Sequence, residues 1–413
     1  MIIKRSSGPI HRLAGARPVR ASLAAIGLIA LTGITPGGVA SAGGGHHHRT
    51  GFHVVASGLD NPRGLAFRPN GQLIVGEAGH AGTDACFPGN PENPGGQTCI
   101  GFTSQISVIS VRNGSHWPIV TGLVSVGDGP VGTTGVDGVT TRGHGVFGII
   151  TASPQGAPPP EACGGNADCV DALTAATAQL GKLIRGRHNR HWSTVADVGA
   201  FNYDWIVATN PDPANPDFQP GDANPYAVTN GHRGFYAVDG GSNTLDFVKP
   251  NGDIKVLAYL PNPAGPVDQR FPYDAVPTCV AKTPRGVVVG DLAGRVWKWS
   301  HGKLTRIHVP AGMLNHVNGC TADDDGNVYV VDMFSGFTPT FDFLPNTGSV
   351  VKIGPHGAKT IAKGLNLPGG IAIGPGGGIY VSNNAICPAD LTGVPAEVCT
   401  ASGQVVRLQR RAG

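Results

Sequence analysis

Asn61-Pro62-Arg63-Gly64-Leu65-Ala66-Phe67-Arg68-Pro69-Asn70-Gly71-Gln72-Leu73-Ile74-Val75-Gly76-Glu77 reads as a short strand, a tight turn carrying Gly, and a second, apolar strand. The phrase returns as His316-Val317-Asn318-Gly319-Cys320-Thr321-Ala322-Asp323-Asp324-Asp325-Gly326-Asn327-Val328-Tyr329-Val330-Val331-Asp332, and again from Leu367 to Asn383. One copy cannot bury its own apolar face, so copies must pack side by side.

Working outward, the chain divides into six units, with first strands at residues 63–67, 137–141, 225–229, 278–282, 318–323 and 370–373. The first unit reads as strands over 63–67, 72–77, 105–111 and 117–121. The sixth has only three strands, 370–373, 379–383 and 404–408. The missing strand is available at the other end, because Phe52-His53-Val54-Val55-Ala56 has the fourth-strand pattern of Ile119-Val120-Thr121-Gly122-Leu123. The expectation is an all-β, six-bladed β-propeller closed by its N-terminal strand, which leaves no long open sheet edge.

Residues 1–42 read as a secretory signal peptide. Lys4, Arg5, Arg12, Arg17 and Arg20 precede an apolar run from Ala21 to Ile34, and Ala40-Ser41-Ala42 is a small-residue cleavage site. Residues 43–50 form a Gly/His-rich tail, 51–410 a single propeller domain and 411–413 a second tail. A secreted, extracellular, monomeric protein is expected, with no membrane span. Charged residues are 14 % of the chain and the net charge is +3, which argues against nucleic acid as a partner. Gly 64 and Pro 34 suit many tight turns.

Eight cysteines in an exported chain suggest four disulfides. Local pairing joins Cys86 to Cys99, Cys163 to Cys169 and Cys387 to Cys399. Cys279 and Cys320 remain, and both align with Leu65 of the repeat, so they meet across adjacent units. Turns between first and second and between third and fourth strands are short, whereas the other connections are long. Long loops gathered on one face of a rigid scaffold usually carry function.

The repeated phrase resembles the NHL-type repeat of six-bladed propellers. The stretches Asp222-Ala223-Asn224-Pro225-Tyr226-Ala227-Val228 and Phe235-Tyr236-Ala237-Val238-Asp239-Gly240-Gly241-Ser242-Asn243, with residues 54–77 and 370–384, look like the ScyD/ScyE family of secreted bacterial propellers. The resemblance covers nearly all of the mature chain and implies a secreted propeller with no established reaction.

Second strands end in Glu77, Asp239, Asp291, Asp332 and Asn383, with Thr151 in the second unit. Such a ring offers oxygen ligands for Ca²⁺ or another divalent metal. Its repetition at one blade position favours a turn-capping role. First strands open at Arg63, Asp137, Tyr226, Thr278, Asn318 and Gly369, nearest the channel. Metal-dependent gluconolactonase-like propellers, by resemblance, imply Asp137 and Asn318 as metal ligands, and Arg63 departs from that set. Quinone-dependent sugar dehydrogenases imply a His pair, for which His80 and His144 are available. The sequence therefore points to a binding or scaffold module. Its small-molecule, glycan or protein ligand is expected on the long-loop face, near Arg63, Glu77, Asp137, Tyr226 and Asn318. The alternative is a metal-dependent, lactonase-like hydrolase or a sugar dehydrogenase working in the channel.

Overall fold

A computed structural model describes residues 51–88, 96–212, 221–264, 274–338 and 343–409. The expected leader and both tails lie outside the described residues. Strand β1 (Phe52–Leu59) precedes the first blade, built from β2 (Pro62–Phe67), β3 (Leu73–Glu77), β5 (Gln97–Ile109) and β6 (His116–Gly127), with β4 (Ala85–Pro88) added to the long β5. Blade two is β7 (Val136–Arg142), β8 (Gly145–Ile150), β9 (Lys182–Gly186) and β10 (Trp192–Asp197). Blade three is β11 (Pro225–Asn230), β12 (Phe235–Asp239), β13 (Thr244–Val248) and β14 (Ile254–Tyr259). Blade four is β15 (Pro277–Thr283), β16 (Gly286–Asp291), β17 (Val296–Ser300) and β18 (Lys303–Ile307). Blade five is β19 (Val317–Ala322), β20 (Val328–Asp332), β21 (Gly348–Gly354) and β22 (Gly357–Leu365). The sixth joins β23 (Ile371–Ile373), β24 (Ile379–Asn383) and β25 (Gly403–Leu408) to β1, which pairs antiparallel with β25 from Phe52–Leu408 to Leu59–Gly403. The ring is closed as expected.

The core lies between blades. Ile74, Ile106, Val139 and Ile184 pack blade one on blade two, and Val331, Val350, Ile371 and Val381 pack blade five on blade six. Burying such aliphatic faces supplies about 25 cal/mol per Å². Small residues near the start of the first strands let neighbours touch. A Cβ on Gly370 would lie 2.6 Å from the Arg63 carbonyl oxygen, so the seam between the last and first blades needs glycine there.

All four disulfides form in the expected pairs. One detail is corrected. Cross-strand pairing places Val280, not Cys279, at the level of Leu65, while Cys320 does sit there. Cys279 takes the position of Gly64 and Gly319, the one that faces the following blade. That one-residue offset is what aims its sulfur at Cys320.

The third strand of blade one is also longer than expected. It starts at Gln97, not 105, because the Cys86–Cys99 bridge lies on a hairpin arm in which β4 pairs with β5. Two helices, α1 (Ala167–Thr177) and α2 (Val198–Thr209), occupy long connections read as loops. The Asn166 side chain caps α1 by accepting from Cys169 N, and that of Asp197 caps α2 by accepting from Ala200 N. No described helix is long and apolar enough to cross a membrane.

Candidate active site in the propeller channel

The first strands β2, β7, β11, β15, β19 and β23 line a central cavity of about 320 Å³. Burial changes along them. The residues that open the strands, Arg63, Asp137, Tyr226, Thr278 and Asn318, are 1–9 % exposed. At the other ends Phe67, Thr141, Thr229, Ala322 and Ile373 are half-buried and Lys282 is exposed. The cavity therefore opens on the short-turn face and has a buried polar floor beneath the long loops. An apolar cluster of Met333, Phe334, Leu367 and Ile386, with Val131 and Phe337 against it, packs above that floor. Gly132 N donates to Ile386 O at 2.9 Å and stitches the connection before blade two to the long loop of blade six.

On the floor, Arg63 Nη2 donates to Thr133 O at 2.5 Å, and its Nε lies 3.4 Å from Asp137 Oδ1 on the next blade. Arg63 Nε and both carboxylate oxygens of Asp137 are buried without a hydrogen bond of good geometry. Burial raises the Asp137 acid to about 6, against the pull of the Arg63 cation and the neighbouring Thr151 hydroxyl. Across the channel Tyr226 donates its hydroxyl to Asn318 Oδ1 at 2.8 Å, and burial pushes that phenol up to about 12. The Asn318 amide nitrogen lies 3.4 Å from Pro368 O and 3.5 Å from Met333 Sδ. Thr278 turns away and donates to Val317 O at 2.5 Å. Of the expected site residues, Arg63, Asp137, Tyr226 and Asn318 thus share one floor.

Glu77 does not join them. Its carboxylate accepts from Asp60 N and Gln105 Nε2 at 2.8 and 2.9 Å, and from the Ser107 hydroxyl. The other ring residues serve likewise. Asp239 accepts from Asn224 N, Gly241 N and Ser242 N, Asp332 from Asn315 N and His316 N, and Asn383 from Asn366 N. Each ties the incoming connection to the end of a second strand, which is the turn-capping role. Among the described residues no group of three His, Cys, Asp or Glu is placed to hold a metal ion. The floor does not fit a hard cation either, because the Arg63 guanidinium flanks Asp137 and the Tyr226 hydroxyl takes the Asn318 oxygen. His80 accompanies Asp60 on the long-loop face, whereas His144 is exposed in the short β7–β8 turn, so they form no pair.

Blade three carries a feature that the sequence reading missed. In blades one and four the acid that ends the second strand accepts from the third strand, from Ser107 in one and Trp297 Nε1 in the other. In blade three the matching third-strand residue is a second carboxylate, Asp246. Asn202 of α2 donates its amide to Asp239 Oδ2 and Asp246 Oδ2 at 2.9 and 2.8 Å, and all three side chains are buried. Burial, then the nearby Asp239 charge, lifts Asp246 to about 8.

No protein-family model matches the sequence, and no curated protein matches it. Solved structures with a similar fold include a gluconolactonase from Xanthomonas campestris, 8 % identical, covering 86 % of this chain and 88 % of that one with a TM-score of 0.47. A putative glucose dehydrogenase from Thermus thermophilus is 15 % identical over 86 % of this chain and 99 % of that one, TM-score 0.42. Virginiamycin B lyase from Staphylococcus aureus is 12 % identical over 80 % of each chain, TM-score 0.41. At these identities and TM-scores they assign no reaction. The expectation of a binding or scaffold module with its ligand on the long-loop face is nevertheless corrected. The polar groups of this chain gather on a buried channel floor around a perturbed acid, the pattern of the catalytic alternative.

Proposed function

We propose that this protein is an exported enzyme whose reaction centre is the channel floor, and that it hydrolyses a small ester or lactone. The carrying observation is Asp137, a buried carboxylate with no hydrogen bond of good geometry to either oxygen and its acidity near 6, beside a fixed cation. A base tuned towards neutrality, at the closed end of a ligand-sized cavity, suits proton transfer. Asp137 takes a proton from water as the water oxygen bonds to the carbonyl carbon. The guanidinium of Arg63 stabilises the oxyanion that forms. Collapse breaks the carbon–oxygen bond to the leaving alkoxide, which recovers the proton from Asp137. Tyr226, beside Arg63 and bonded to Asn318, positions the substrate with that amide. No step is assigned to a metal, because the floor offers a guanidinium where a cation would sit.

Four disulfides on the described residues support export to an oxidising compartment. The test is a pH-indicator screen of sugar lactones and small acyl esters with the purified mature chain. The reading expects turnover of at least one class, with kcat/KM rising through about pH 6 as Asp137 ionises. A flat pH profile over that range, or no turnover in either class, contradicts it.

A further inference from the structure

We infer that the ester or lactone taken by the channel carries an anionic group, such as a carboxylate or phosphate, and enters through the short-turn face. This rests on the channel being the reaction site and adds its entrance and its charge class. The first turns of the blades border the mouth. Four successive blades place cations there: Arg68, Arg142, Arg233, and then Lys282 with Arg285. Lys282 lines the cavity itself and is exposed, as are Arg233 and Arg285. Blade five supplies the opposing charge, Asp323, Asp324 and Asp325. Asp323 accepts from Asn327 N, Asn327 Nδ2 and the Tyr329 hydroxyl, and the last blade has the uncharged turn Gly374–Gly378.

Elsewhere on the face Asp253 is paired with Lys249, and three further cations are held in place. Arg185 lies 5.9 Å from the ring centroid of Phe147, Lys352 5.4 Å from Tyr329 and Arg407 5.7 Å from Tyr380. Each is a cross-strand neighbour of its aromatic partner towards the short-turn end of its blade. The carboxylates Glu77, Asp239 and Asp332 sit at the opposite end of the blades, buried, and Asp291 is paired there with Arg295. The disc is therefore polarised along the channel axis, positive at its mouth. A low-dielectric cleft rimmed by one charge concentrates ligands of the other and speeds their entry.

The test uses the chain's lack of free cysteine among the described residues. Thr229→Cys places one thiol on the cavity wall near the mouth, and Thr141→Cys is a second such variant on blade two. Each is labelled at low salt with two methanethiosulfonates, one bearing sulfonatoethyl and the other trimethylammonioethyl. Rates are divided by those for a small neutral thiol. The inference expects the anionic reagent to be favoured about fivefold or more, the preference to collapse in roughly 0.5 M salt, and Lys282→Glu to abolish it. Equal rates, a cationic preference, or no labelling at either position overturns it. The labelling reads the entrance alone, so it fails or holds whatever lactone or ester turnover shows about the floor.

Discussion

The Nε of Arg63 and the Oδ1 of Asp137 face each other across the seam between the first and second blades at 3.4 Å, each without another hydrogen bond. Neither residue is near the other in sequence. Packing of the first blade on the second brings them together, and the apolar cluster over the floor covers them on the long-loop side.

The raised Asp137 acidity predicts a pH-dependent stability. The folded chain holds this proton up to about pH 6, whereas the unfolded chain releases it near the ordinary aspartate value of 3.8. The native state binds more protons in that window, so stability falls as pH rises through it. Asp137→Asn is expected to raise the melting temperature at about pH 7.5 and to leave it unchanged at about pH 3.5. Equal melting temperatures at both pH values would place Asp137 in a solvated setting.

Blade three predicts a second, higher window. Asp246 and Asp222 are each raised to about 8, chiefly by burial. Chemical denaturation should show stability declining from about pH 4 to about pH 8. Asp246→Asn should flatten that decline and gain on the order of a few kcal/mol at about pH 9. An unchanged slope in the variant would mean that Asn202 alone satisfies the pair.

If the carboxylates that end the second strands serve turns, removing one costs backbone hydrogen bonds. Asp332→Ala leaves Asn315 N and His316 N without their acceptor and should cost about 2–3 kcal/mol in urea unfolding. EDTA should not move the melting temperature of the wild-type chain. A fall on chelation, restored by Ca²⁺, would return the ring to metal binding.

The disulfides should differ in worth. Cys279–Cys320 spans 41 residues and staples blade four to blade five, whereas Cys163–Cys169 spans 6. Replacing the first pair by Ser should cost about 3–4 kcal/mol and the second pair less, because a longer loop restricts the unfolded chain more. Equal losses would show that local strain, not chain entropy, sets the contribution.

Most of the fold was legible because the repeat is local. Strand, Gly turn and strand recur at Arg63, Asn318 and Gly370, and the unmatched strand at Phe52 predicted the closure. The two helices were also legible in principle, since Asn166 and Asp197 are good caps, but Gly- and Pro-rich surroundings masked them. The site was half legible. Blade alignment located Arg63, Asp137, Tyr226 and Asn318 on one ring, whereas the direction in which the channel opens depends on how long loops pack over it, which no spacing encodes. The acid pair of Asp239 and Asp246 was hidden because a carboxylate on a third strand reads as a surface residue until α2 covers it.

The central claim is that chemistry occurs at Asp137. The most direct measurement compares kcat/KM of the wild type and of Asp137→Asn on the best lactone or ester, with the melting temperature of each as a control for folding. The account predicts a loss of about 100-fold or more in a variant that is folded and no less stable. Activity within a few-fold of wild type in that folded variant would contradict it.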